Sequence, residues 1–337
     1  MFCEGYRFLY SMKTLIRLLT IVLSKSAILV GGQAVIEGVM MRVPGAYATA
    51  VRNPDGDIKV DRHEFVSKSE SNPLLKKPII RGIVNLFEAM KIGFGTLQWS
   101  ADIAFPEEAN KEKNKIGEFF ATTFAIIFAI GLFMAGPYLL TEYFEFNEKS
   151  IVFNFIAGIF RITFFIIYLL SISLMKDVKR LFQYHGAEHK TIYVFESGQK
   201  LLAKNTHNFP KEHPRCGTSF LFIIMLVAII TFSMIDVVIF NMILLIEKPQ
   251  WWLRLLLHLP LIPLVAGFGY EVLKLTAKYR NNILFRLIAK PGIWLQKITT
   301  SEPDDEQVEV AISALTTAFG DDYKNHEGQK FVAEAIG

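Results

Sequence analysis

Tyr184-His185-Gly186-Ala187-Glu188-His189-Lys190 sets two imidazoles four residues apart with a carboxylate between them. On a helix that spacing puts both rings on one face at roughly 6 Å, within reach of a single divalent ion of the zinc class. This is the inverted zincin order, His-x-x-Glu-His. In such motifs the glutamate, here Glu188, acts as general base on the water an ion carries.

A hydrolytic zinc site takes three protein ligands and keeps one position open. Glu196 shares the helical face but lies about 10 Å along the axis from His189, too far to join both histidines. The returning arm His213-Pro214-Arg215-Cys216 is the better source, with His213 or Cys216 as third ligand. If both bind, the set closes as His3Cys and reads as structural. Arg215 is either a charge stabiliser for an anionic substrate or an anchor for a lipid headgroup. The alternative for His185 and His189 is a hydrogen-bonded surface pair, and Cys216 fits a ligand or core residue better than a nucleophile, since no base partner is assignable. Glu37, in a glycine-rich stretch, is either a functional carboxylate or a strand residue paired with a nearby cation.

The elements that must position these groups are mostly apolar. Hydrophobic residues make up 52% of 337, and the mean hydropathy of +0.33 exceeds the usual soluble balance, so the chain reads as a membrane protein. Four stretches, near 119–140, 151–174, 220–246 and 253–275, meet the roughly 20 apolar residues that about 30 Å of hydrocarbon requires. Lys176, Lys179, Arg180, Lys190, Lys200, Lys204, Lys211 and Arg215 all fall between the second and third stretches. The outer connections are short and hold few cations: Glu142, Glu145, Glu148 and Lys149 in one, Glu247, Lys248 and Arg254 in the other. The positive-inside bias therefore predicts that the His-x-x-Glu-His segment and both termini face the cytoplasm. Cys3 and Cys216 have no CxxC spacing, which fits a reduced compartment. Within the stretches, Arg161 and Asp236 are expected to pair between antiparallel helices, and His258 and Glu271 to reach the interface.

Residues 31–67 predict a small β-rich unit, with extended runs at Gln33–Met41, Tyr47–Arg52 and Ile58–Phe65 and a turn at Asn53-Pro54-Asp55-Gly56-Asp57. The organisation that follows is an amphipathic lead over 1–30, the β-rich unit, an interfacial amphipathic helix over 78–105, a four-span domain over 117–275 with its cytosolic loop at 176–217, and cytosolic helices with an acidic tail over 276–337. Ser301-Glu302-Pro303-Asp304-Asp305-Glu306 marks a helix start capped by a hydroxyl, and Val308, Ile312, Leu315 and Phe319 form an apolar stripe expected to dock elsewhere on the chain. The fold class is thus an α-helical multi-pass membrane protein with a small N-terminal β-rich unit. The basic residues suit topology and anionic lipid headgroups, not nucleic acid.

Four separated motifs, 31–42 (Gly31 to Arg42), 184–190 (Tyr184 to Lys190), 213–220 (His213 to Phe220) and 302–306 (Glu302 to Glu306), resemble the YqhQ-like family of bacterial membrane proteins. The resemblance runs over nearly the whole chain from Gly31. It implies a multi-span protein of the bacterial inner membrane, described as a predicted metal-dependent enzyme, and supplies no substrate. Two function classes follow. One is a metal-dependent hydrolase at the cytoplasmic surface, using a divalent ion, zinc by preference, with His185, His189 and His213 or Cys216 as ligands, Glu188 as base and Arg215 on an anionic group. The other is a membrane scaffold or assembly factor whose His/Cys cluster is structural and whose β unit and acidic tail bind a protein partner.

Overall fold

The computed structural model describes residues 30–109, 115–144, 151–214, 216–244, 246, 250–279 and 282–330. The N-terminal lead, Glu145, Glu148, Lys149, Arg215, Glu247 and Lys248 lie outside the described residues. Four strands, β1 (Gly31–Val35), β2 (Gly38–Val43), β3 (Ala46–Arg52) and β4 (Ile58–Glu64), form an antiparallel meander in sequence order. The run expected to extend unbroken from Gln33 to Met41 instead folds on itself. Val35 pairs with Gly38, and Glu37 takes a left-handed backbone (φ 50°) in the two-residue turn between them.

Side chains alternate across a strand, so the register sorts the sheet into two faces. Ala34 pairs with Val39 and Gly32 with Met41, which puts these residues on the face that carries Val43, Ala46, Ala48 and Ala50. Two helices cover that face: α5 (Lys176–Glu196) over β1 and β2, and α10 (Asp305–Phe319) over β2 and β3. Tyr184, Ala187 and Ile192 of α5 and Val308, Ala311, Ala314 and Leu315 of α10 complete one buried core with it. The small side chains of β3 and α10 let the helix settle close to the strands. The apolar stripe of α10 therefore docks on the sheet and on α5. Its N-cap is Asp304, in a capping box with Gln307, and not Ser301, whose amide donates to the Phe182 carbonyl of α5 at 2.8 Å.

On the other face, Val35 and Val51 meet Leu97 and Ala104 of α1 (Ile80–Ala104). This helix links the sheet to the apolar helices. Its start crosses α8 (Ile262–Lys278) so closely that a Cβ on Gly82 would sit 3.0 Å from the Gly267 Cα, and Arg81 holds Glu271 of α8 with two bonds of 2.5 and 2.8 Å. Glu271 thus serves an interhelical ion pair.

Among the described residues, four helices are long and apolar enough to cross a membrane: Ile116–Tyr143, Val152–Ser173, Phe220–Phe240 and Trp251–Thr276. The first comprises α2 (Lys115–Ile130), a π turn (Gly131–Ala135) and α3 (Gly136–Tyr143); Pro137 has no amide to give to the regular ladder at this break. The second is α4 (Ile151–Ser173), which runs almost directly into α5. The third is α6 (Gly217–Asp236), continued by a π segment (Val237–Ile243), and the fourth joins α7 (Trp251–His258) to α8 through a 3-10 turn. After α8, α9 (Ile283–Thr299) packs on α6 and brings the chain back to α5.

Candidate metal centre

The motif lies in the middle of α5, on the side that meets the strands, the start of α6 and the end of α9. Gly186 has no room for a side chain, because a Cβ there would be 2.2 Å from the Ser301 carbonyl oxygen. The strap from Thr299 to Asp304 therefore presses directly on the helix between the two histidines.

That strap and the returning arm fix both rings. His185 Nδ1 donates to the Thr299 carbonyl at 2.8 Å and His189 Nδ1 to the Lys211 carbonyl at 2.5 Å. With Nδ1 protonated, each Nε2 carries its lone pair toward the interior, the orientation that outer hydrogen bonds impose on metal-ligating histidines. His185 Nε2 lies 3.1 Å from Cys216 Sγ. One ligand atom each from His185, His189 and Cys216 all fall within 4.8 Å of one another. Cys216 is the N-cap of α6, and the first turn of that helix fixes its sulfur, which accepts from the Thr218 amide at 3.4 Å. His189 Nε2 is buried, makes no hydrogen bond of ordinary geometry, and feels the Cys216 sulfur as its neighbour. Two imidazole nitrogens and one thiol form a donor set that could hold a soft-to-borderline ion such as zinc.

Glu188 sits beside the histidines and also reaches β1. The Gly32 amide donates to its carboxylate, and one oxygen stands 4.0 Å from His185 Nε2. Burial pushes the Glu188 carboxyl above its ordinary range, opposed by His185, His213 and the Gly32 amide. Burial likewise pulls His189 below the ordinary histidine value.

His213 is adjacent but is held separately. Its amide donates to Gln296 Oε1 at 2.7 Å, and Gln296 Nε2 donates back to its carbonyl at 2.9 Å. Its ring centroid lies 5.5 Å from that of His189, and its Nε2 lies 3.9 Å from Glu196, which stays clear of the three-atom cluster. Burial holds His213 down at about 4, against a smaller upward pull from Glu188. Arg215, expected to bind an anionic group, lies outside the described residues. Glu37 pairs with a cation: Arg180 grips both of its oxygens, one at 2.6 Å, and Tyr184 donates to it at 3.3 Å. Burial raises the Tyr184 hydroxyl, so it stays a donor.

The parts that the residue pattern did not disclose are backbone groups and one amide: the Thr299 and Lys211 carbonyls, the Gly32 amide and Gln296. Gly32 stands in a glycine pair at the head of the first motif, the one signal available. A carbonyl acceptor leaves no mark in residue type.

Comparison with known proteins places the chain in a family and names no reaction. Residues 77–321 match the family described as Protein of unknown function (DUF1385). The chain is also similar to the Uncharacterized protein YqhQ of Bacillus subtilis (strain 168), 33% identical over 316 residues, which cover 89% of this chain and 95% of the relative. No solved structure matches. The matched span contains His185, His189 and Cys216, the four apolar helices and α10, and the chain belongs to this YqhQ-like family of unknown function.

Proposed function

We propose that the protein is a multi-pass membrane protein of the bacterial inner (plasma) membrane that binds a divalent ion, zinc by preference, through His185, His189 and Cys216, and acts as a metal-dependent hydrolase at the cytoplasmic surface. The observation that carries this reading is the convergence of three ligand atoms within 4.8 Å. Tetrahedral coordination at zinc bond lengths separates ligand atoms by about 3.3–3.6 Å, so small side-chain adjustments close the set. The cations of α5 and the arm after it cluster at the end of the apolar helices where Cys216 begins α6, which supports a cytoplasmic site at the membrane boundary.

A zinc-class ion bound there would supply Lewis acidity toward a carbonyl or phosphoryl oxygen. Glu188 accepts and returns the proton, and its raised carboxyl lies closer to neutral pH than an ordinary glutamate, as proton transfer favours. The carbonyls of Thr299 and Lys211 hold the imidazole tautomers. Gly32 keeps Glu188 from swinging away.

A second reading draws on the burial of His189 and Cys216 and on His213 at the edge of the cluster. If His213 rotates in as fourth ligand, the ion is structural and the protein is a membrane scaffold. Metal analysis and X-ray absorption of the purified protein, beside Glu188→Gln and His189→Ala, test both. Three protein ligands plus a light atom, with metal kept in Glu188→Gln and lost in His189→Ala, support the enzyme. Four protein ligands, or no bound metal with Glu188 paired away from the histidines, support the scaffold.

A further inference from the structure

The candidate metal cluster and the third apolar helix meet within about one helical turn. Cys216 caps α6, and the stretch apolar enough to cross a membrane begins at Phe220, about 6 Å further along the axis. A bilayer of about 40–45 Å with about 30 Å of hydrocarbon leaves roughly 5–8 Å on each side for headgroups. Along α6, the cluster therefore stands at headgroup depth.

Two neighbouring elements carry side chains suited to that layer. α9 ends at Thr299, whose carbonyl holds His185, and its exposed face presents Ile283, Leu287, Lys290, Trp294 and Lys297 at alternating intervals of four and three residues. Trp294 is only about 7.5 Å along the helix from Thr299. An indole and long cations among apolar side chains mark a membrane–water interface. At the corner between α4 and α5, Leu174 is 85% and Met175 54% exposed, and exposed Lys176 and Lys179 follow them. Both sets combine apolar contact with cations, the complement of an anionic lipid surface.

Access is left beside the cluster: His185 is its partly exposed member, and Gly217, next to Cys216, is exposed with open space where a Cβ would stand. Deeper in the apolar helices the ionisable groups are engaged with one another. Asp236 accepts from Arg254 at 2.9 Å and from His258 at 2.8 Å, which replaces the pairing expected with Arg161, and His258, expected at the interface, is buried.

We propose, resting on the hydrolase reading of this site, that its substrate is a phospholipid of the surrounding leaflet, anionic by preference, cleaved at its headgroup phosphodiester. The oxygen of water bonds to phosphorus, and the bond from phosphorus to one ester oxygen breaks. Glu188 takes the water proton and returns it to that oxygen. A phosphate monoester and an alcohol result, with water as the one co-reactant.

The test uses the full-length, zinc-loaded protein in vesicles of phosphatidylglycerol diluted in phosphatidylcholine, with products read by mass spectrometry. A parallel arm offers the water-soluble diester bis-para-nitrophenyl phosphate. Vesicle lipid should be converted to monoester and alcohol, and Glu188→Gln should abolish the conversion while keeping zinc. Lys297→Glu should keep zinc and raise the share of phosphatidylglycerol needed for half-maximal turnover about fivefold. The wild-type comparison stands by itself if a variant fails to fold. Turnover of the soluble diester with the lipid left intact would overturn the lipid substrate and leave the hydrolase reading standing. Release of fatty acid in place of phosphate products would overturn the phosphodiester assignment. No turnover in either arm, or no bound metal, would end both.

Discussion

The amide of Gly32 in β1 donates to the carboxylate of Glu188 in α5, joining the first strand to the centre of the His-x-x-Glu-His motif across 156 residues of sequence (188 minus 32). A Cβ on Gly32 would lie 2.5 Å from the Met40 carbonyl oxygen and 3.0 Å from Glu188 Oε1. Gly32→Ala is therefore expected to cost about 1–3 kcal/mol of stability through overpacking. Metal stoichiometry should remain that of the wild type, because the proposed site uses Glu188 as a proton carrier and not as a ligand. Loss of metal from this variant, measured by elemental analysis, would place the carboxylate in the coordinating set.

Ligand identity separates His213 from Cys216. Cys216→Ser and His185→Ala are expected to release the ion, whereas His213→Ala should keep it, since that ring stands outside the three-atom cluster. Elemental analysis after gel filtration in chelator reads this directly. A metal-free His213→Ala protein would support the four-ligand scaffold.

Gly186→Ala drives a methyl group to 2.2 Å from the Ser301 carbonyl oxygen, which is backbone and can retreat only by moving the whole strap. The Thr299 carbonyl then leaves His185 Nδ1. Loss of such an outer bond weakens metal affinity by roughly 10–100-fold. Competition with a chromogenic chelator measures the change, and an unaltered affinity would show that the strap does not orient His185.

Arg180→Ala removes the partner of Glu37, yet about half of the Arg180 side chain is exposed, 48%. Screening limits such a pair to about 0–1 kcal/mol. Thermal unfolding should shift little and metal content not at all. A large loss of metal or activity would return Glu37 to the list of functional carboxylates.

Metal-free protein should lose stability as the pH falls from about 6.5 toward 4. Unfolded histidines bind protons throughout that window, while His213 stays neutral until about 4 and His189 is shifted in the same direction. The unfolded state therefore binds more protons, and stability rises with pH there, by an amount on the order of 1–3 kcal/mol for His213. Glu188 acts oppositely: its raised carboxyl contributes stability at low pH that declines as the pH rises through its folded value. Thermal midpoints in chelator across pH 4–7 check the sign, with a shallower slope expected for His213→Gln.

The four apolar stretches, two of the three strand runs and the docking stripe of α10 were legible in the sequence because they follow from periodicity, which the solvent reads residue by residue. The break in the first strand run was not, since Ile36 and Glu37 are poor turn formers whose geometry is held from outside by Arg180 and Tyr184. Arg254 illustrates the same limit. It reads as a loop cation beside Trp251 and Trp252, yet the fold buries it against Asp236.

By itself the sequence determined that two imidazoles and a carboxylate share a helix turn, since a 3.6-residue period leaves no other arrangement. It also supplied a histidine and a cysteine on the returning arm without ranking them. The tertiary structure separates them by distance: Cys216 caps α6 with its sulfur 3.1 Å from His185 Nε2, while Gln296 bonds the His213 backbone and the His213 ring centroid stands 5.5 Å from that of His189. Third-ligand choice depends on distances between segments tens of residues apart, set by how α5, α6 and α9 pack, and packing is a property of surfaces that no local spacing records.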